Sequence, residues 1–143
     1  MSYTCAADEP DFLLYYPDDI QRPVDDIWVV EDSPQILKLA GVVLGSTYRV
    51  RGFSDGQQAY DALKRNRGTR LLLTDTNMPG MDGLALIREA RERIPDLAVI
   101  LMSGNEDGRL EANATGLEVP FLHKPFELDA LRNIVAQHYP KKQ

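Results

Sequence analysis

Cysteine occurs once in this chain, at Cys5. A single thiol excludes an intrachain disulfide and any metal site built from several thiolates, and it points to a reducing compartment. No basic residue precedes Arg22, so the N-terminus lacks the charged leader of a secretory signal. The longest apolar run is Leu97–Met102, far short of the roughly 20 residues a membrane helix needs. Positive charge is also in short supply: 16 Lys and Arg stand against 22 Asp and Glu, a net charge of −6. That balance excludes the basic footprint of a nucleic-acid binder. These absences leave a cytoplasmic protein with neither a nucleic acid nor a membrane as its expected partner.

What is present is ordinary for one globular domain. The 143 residues are 43% hydrophobic and 27% charged, enough to bury a core. The acidity is uneven. Residues 1–26 hold seven acids and one base, whereas the remaining 117 residues hold 15 of each. Residues 1–25 therefore read as an acidic extension with three prolines and one aromatic patch, Phe12-Leu13-Leu14-Tyr15-Tyr16. That patch is either part of a loose leader packed on the domain or a docking element for a partner. Residues 26–140 read as the domain and 141–143 as a tail.

From Ile27 the pattern becomes regular. Ile27-Trp28-Val29-Val30 is a β-rich run, and Ser33-Pro34 opens a helix with a capping hydroxyl and a first-turn proline. That helix is expected to stop near Gly45. Tyr48–Arg51 alternates like a short edge strand. Ser54 or Asp55 can cap a helix carrying Ala59, Ala62 and Leu63. Thr69–Asp75 contains Leu71-Leu72-Leu73 and reads as a strand buried on both faces. Pro79, Gly80 and Gly83 then turn the chain into a helix over Leu84–Arg93. Leu97–Met102 and Val119–His123 are the last two strands. A weak helix between them, over residues 106–116, is diluted by Gly108, Asn113 and Thr115. A final helix runs from Glu127 to about His138.

Five strands alternating with five helices predict an α/β fold with a parallel sheet and helices on both faces. In such sheets the ligand crevice lies beyond the carboxyl ends of the strands. Glu31-Asp32, Asp75, Ser103 and Lys124 each follow or end a predicted strand. Three carboxylates in one place repel each other unless a hard divalent cation sits among them. An ammonium and a hydroxyl beside that cation suit three phosphoryl oxygens. Asp75 is itself a nucleophile able to form an acyl phosphate, and needs no general base because it is already ionised at neutral pH. Taken singly, each residue has a plainer role: Asp75 as a turn residue, Glu31-Asp32 as anions at a helix N-terminus, Ser103 as a loop serine. Asp82 reads as a loop hydrogen-bonder. His123 and His138 are not expected to take part.

Over residues 26–139 the chain resembles the receiver domain of two-component response regulators. The resemblance rests on Val29-Val30-Glu31-Asp32, Asp75-Thr76-Asn77-Met78-Pro79-Gly80-Met81-Asp82-Gly83, Met102-Ser103-Gly104 and Lys124-Pro125-Phe126, in that order and with family-like spacings. It implies a flavodoxin-like (βα)5 doubly wound five-stranded sheet of order 2-1-3-4-5. It further implies that Asp75 accepts a phosphoryl group from a phosphohistidine, with Mg2+, or Mn2+ in its place, held by Glu31, Asp32, Asp75 and the backbone carbonyl of Asn77. Ser103 and Phe121 would be the switch pair, Lys124 the bridging cation and Lys124–Pro125 a cis peptide. Glutamate rather than aspartate at 31, and serine rather than threonine at 103, are mild departures.

The implied partner is a sensor histidine kinase or histidine phosphotransfer protein, with a downstream protein partner and a monomer or weak dimer as the state. Catalysis is limited to the chain's own phosphorylation and dephosphorylation. The helix from Pro34 carries only Lys38 as a charge, so its outer apolar residues are either covered, with the Phe12–Tyr16 segment as the candidate cover, or exposed as a docking surface for a partner's helical bundle. The segment over 106–116 is expected to move when Ser103 and Phe121 rearrange. Because the last helix ends close to Gln143 and Met1 fits an independent start, a stand-alone switch is the leading reading. A phosphorelay shuttle or a receiver from a hybrid kinase is the alternative, since Phe12–Pro17 resembles the tail of a kinase ATP-binding domain. An external phosphatase lacks a substrate segment, and an unphosphorylated scaffold does not need the full acidic set.

Overall fold

The computed structural model describes residues 24–65, 68–76, 81–104, 116 and 119–140. Its elements are β1 (Val24–Val30), α1 (Pro34–Gly45), β2 (Val50–Phe53), α2 (Gly56–Lys64), β3 (Gly68–Asp75), α3 (Gly83–Arg93), β4 (Ala98–Ser103), β5 (Phe121–His123) and α4 (Leu128–His138). All neighbouring strands pair parallel, in the order β2-β1-β3-β4-β5. This is the expected five-stranded sheet with β2 at one edge. The helix expected over 106–116 lies outside the described residues, apart from Gly116.

The helices start where the sequence provides caps. Ser33 accepts from the Ile36 amide with Pro34 next to it, Asp55 accepts from Gln58, and Asp82 accepts from Ala85. Asp82 is thus the cap of α3, a fixed role for the loop hydrogen-bonder read from the sequence. α2 and α3 close one side of the sheet over Trp28, Val30, Leu72 and Leu101. α1 and α4 close the other over Ile27, Val29, Leu71, Leu73 and Ile100. β3 is buried without a break from Leu71 to Asp75, which explains its unalternating leucines. Among the described residues, no helix is long and apolar enough to cross a membrane.

Several strand boundaries differ from the sequence reading: β3 begins at Gly68, β4 spans Ala98–Ser103 and β5 begins only at Phe121, and two further differences trace to buried charge. β1 begins at Val24, two residues before the domain boundary drawn at 26. Asp25 and Asp26, counted with the acidic extension, belong to the sheet. The Asp26 and Ile27 amides both donate to the Arg49 carbonyl, at 3.0 and 3.1 Å, the signature of a bulge that resets side-chain alternation. As a result Asp25 turns towards α2, where its carboxylate accepts from Trp28 Nε1 at 2.9 Å and Arg51 Nε at 3.1 Å. Asp26 turns the other way, accepting from the Arg49 amide and the Tyr139 hydroxyl.

β2 likewise occupies 50–53 rather than 48–51. The Thr47 and Tyr48 amides close the end of α1 onto Leu44, and the Tyr48 ring packs against Tyr139 at 4.8 Å. Arg51, outward in a simple alternation, is 2% exposed because Asp25 receives it. Removing one member of a buried pair strands the other, at about 3–5 kcal/mol. Asp25→Ala is therefore expected to lower stability by that order in urea unfolding followed by circular dichroism. Asp25→Leu combined with Arg51→Met should recover most of it; a double variant no better than Asp25→Ala would refute this.

Burial and the nearby Asp26 charge push the Tyr139 hydroxyl up to about 12 from an ordinary 10.0. Above pH 10 the unfolded chain loses this proton while the folded chain keeps it, so the contribution is complete below 10 and declines towards 12. The urea midpoint of the wild type should therefore fall faster than that of Tyr139→Phe across this interval. Parallel curves would contradict it.

Candidate functional site

Two strand ends converge on one acidic cluster. β1 delivers Glu31 and Asp32, and β3 delivers Asp75, with ligand-capable oxygens of all three within 4.8 Å of one another. Glu31 and Asp75 are buried, at 1% and 6% exposure, whereas Asp32 is exposed. β1 and β3 are neighbours with Val30 beside Thr74, so the next residue of each strand brings a carboxylate to the same rim. The spacing of 43 residues between Asp32 and Asp75 could not by itself show this adjacency.

Lys124 follows β5 and crosses the rim to them. Its Nζ donates to Glu31 Oε1 at 3.0 Å and to Asp75 Oδ2 at 3.2 Å. Burial alone would lower the Lys124 ammonium, but the hydrogen bond to Glu31 and the charges of Asp75 and Glu31 outweigh it and hold it above the usual lysine value. Glu31 moves upward as well. Its burial and the Asp75 charge outweigh the Ser33 amide and Lys124, which favour the ionised form. Upward shifts in both partners of one ion pair follow from unequal burial, since Glu31 is far less exposed than Lys124.

Backbone groups that the sequence did not single out fix these carboxylates. The Ser33 amide donates to Glu31 Oε2 at 3.0 Å, and the Thr76 amide donates to Asp75 Oδ1 at 2.7 Å. Each carboxylate thus has one oxygen tied to the backbone and one to Lys124. Ser103 is buried at the end of β4, beside His123 in the β5 register, and its carbonyl accepts from the Lys124 amide. Phe121 starts β5, half-buried beside Leu101 and packed against the core under α2 and α3. The Lys124–Pro125 peptide is cis. His123 is exposed, its ring 5.8 Å from Phe121. Asn77 lies outside the described residues.

Two glycines let helices approach the rim. A Cβ on Gly83 would stand 2.0 Å from the Asp75 carbonyl oxygen, and one on Gly56 would stand 1.9 Å from that of Met81. α3 therefore starts against the backbone of Asp75 itself, where only a missing side chain fits. Gly83→Ala is expected to destabilise the domain by about 1–3 kcal/mol through overpacking, measured by urea unfolding. Unchanged stability would show that the contact can relax.

The donor set fits a small hard cation. It offers carboxylate oxygens from three residues, one of them exposed, and one ammonium cannot neutralise three carboxylates. With a cation present, the rim would offer a metal ion and an ammonium to the oxygens of an incoming anion beside Asp75. That is the chemistry of phosphoryl acceptance.

A family model described as response regulator receiver domain matches residues 27–136. The DNA-binding transcriptional regulator NtrC of Klebsiella pneumoniae is 34% identical over 123 residues, which is 81% of this chain and 26% of that protein. The response regulator protein FleR of Pseudomonas aeruginosa is 46% identical over 70 residues, 48% of this chain and 15% of that protein. The chain thus spans about a quarter or less of the length of these curated relatives. Among solved structures, the signal receiver domain of an HD domain-containing protein from Pseudomonas fluorescens Pf-5 superposes with a TM-score of 0.70. It is 27% identical, covering 82% of this chain and 94% of that one. The BeF3-activated DrrB receiver domain gives 0.69 at 26% identity, covering 80% and 97%.

Proposed function

This chain belongs to the response regulator receiver domain family, and from that premise we propose that Asp75 accepts a phosphoryl group from a phosphohistidine of a sensor kinase or histidine phosphotransfer protein. The observation that supports it most directly is the joint placement of Asp75, Glu31, Asp32 and Lys124 at one rim. An Asp75 carboxylate oxygen attacks phosphorus as the phosphorus–nitrogen bond to histidine breaks, and the departing imidazole keeps the electron pair. Lys124 already contacts Oδ2 and stabilises the negative charge that the transfer brings to this rim. The Thr76 amide on Oδ1 keeps the carboxylate from rotating away. When bound by Glu31, Asp32, Asp75 and the Asn77 carbonyl, Mg2+, or Mn2+ in its place, would supply neutralising charge to the phosphoryl oxygens.

Phosphorylation adds charge and acceptor oxygens beside Lys124 and Ser103, and the chain then works as a switch. Ser103 turns towards the new group, Phe121 follows, and binding to a downstream protein changes. Catalysis is confined to the chain's own aspartyl phosphate. The phosphodonor approaches α1, where Leu39 and Val42 are exposed at 39% and 66% and Lys38 is the only charge. A phosphorelay shuttle or hybrid-kinase receiver would use the same acceptor. The resemblance of Phe12–Pro17 to the tail of a kinase ATP-binding domain is what keeps that second reading.

Acetyl phosphate with Mg2+ is expected to add one phosphoryl group to the wild type and none to Asp75→Asn, read by intact mass. Chelation with EDTA should abolish the gain. A wild type that stays unmodified while folded would overturn the assignment. Onward transfer to a histidine phosphotransfer protein would select the shuttle over the terminal switch.

A further inference from the structure

Helix α1 spends one face on the core through Ala40, Val43 and Leu44 and leaves Leu39 and Val42 in solvent. Single exposed leucines are ordinary. Two apolar residues one turn apart, on a helix of 12 residues with one base and no acid, make an unusually uncharged outer face. We propose that the apolar run Phe12–Tyr16 of the same chain lies along this face and shields it.

The occupant follows from where the chain enters the sheet. Val24 opens β1, and Asp26 is bonded to the Arg49 amide and to Tyr139. Tyr48, the residue before Arg49, donates its amide to Leu44 in the last turn of α1. The N-terminal segment therefore joins the domain beside the C-terminal end of α1. Residues 17–23, extended, reach about 23 Å, beyond the roughly 18 Å length of a 12-residue helix. Five extended residues cover about 17 Å, so Phe12–Tyr16 matches α1 in length.

Direction and charge agree with this placement. With Tyr16 nearest the C-terminal end of α1, the run extends towards the N-terminal half, which brings Asp11 towards Lys38. Acids bracket the run, as Asp11 before it and Asp18-Asp19 after it, and α1 has no acid to repel them. The segment then competes with a phosphodonor for one surface. That consequence rests on Asp75 being the acceptor, whereas the docking itself does not.

The test uses the full chain with Cys5→Ser and Asp18→Cys, carrying a nitroxide at residue 18. Docking predicts paramagnetic broadening of the amides of residues 38–46, lost when Leu13→Asp and Leu14→Asp are added. Broadening confined to residues 24–28, or lying along β2 or α3 instead, would overturn it, as would a concentration-dependent signal from a second copy. Val42→Glu should also remove the broadening, with Trp28 fluorescence reporting that the fold is kept. In the competition arm, the Leu13→Asp, Leu14→Asp variant should accept a phosphoryl group from a phosphohistidine protein several-fold faster than the wild type. An equal rate would overturn the shielding. Failure of every variant to be phosphorylated, even by acetyl phosphate, would strike Asp75 as the acceptor and leave the broadening result intact.

Discussion

Lys124 binds two carboxylates from different strands, and the site is organised around that double contact. Glu31 and Asp75 are buried side by side, an arrangement that electrostatics opposes unless a positive charge lies between them. The ammonium reaches from the end of β5 at one edge across β4 to Asp75 on the central strand β3 and to Glu31 at the end of β1 beyond it. It therefore ties together strands that are not neighbours. The Ser33 and Thr76 amides hold the other oxygen of each carboxylate, so neither side chain is free to swing away. One ammonium leaves the cluster short of positive charge, and the proposed function has a cation and then a phosphoryl group answer that deficit.

The rest of the fold keeps these strand ends in register. β3 is the central strand, buried on both faces, and its three leucines carry Asp75 to the rim without freedom to slip. Gly83 lets α3 begin against the carbonyl of Asp75, so the helix and Asp75 share a tight junction. At the far end of β1, the Arg49 carbonyl takes two successive amides. The bulge turns Asp25 and Asp26 to opposite sides of the sheet, where each is bound by a different partner. A buried ion pair such as Asp25–Arg51 adds little net stability, but it leaves few alternatives for how β2 can lie on β1.

Asp25 and Arg51 also show why some boundaries could not be read from the chain. A strand is inferred from alternation, and acids beside three prolines look like an extension. Only the partner strand reveals that Asp25 has an arginine and an indole waiting for it. Tyr48 and Arg49 alternate well but are taken up by the end of α1 and by Tyr139 and Asp26. Ser33 and Thr76 escaped notice as site residues for a different reason: they act through backbone amides, which every residue except proline possesses. Asp82 could be read as a hydrogen-bonder, but its role as the cap of α3 needed the helix start to be fixed.

The alternation of apolar runs with capped helices determined the parallel α/β sheet, because crossovers of that length leave few other topologies. The identity of the residues ending each run determined which groups are proposed to bear the chemistry: Glu31, Asp32, Asp75, Ser103 and Lys124. Distance was left to the tertiary structure. Whether Lys124 meets Glu31, 93 residues away, depends on strand order and on burial strong enough to hold both charges in place. Carboxylates far apart in sequence become one site only when the sheet sets them side by side, since Coulomb forces act through space and not along the chain.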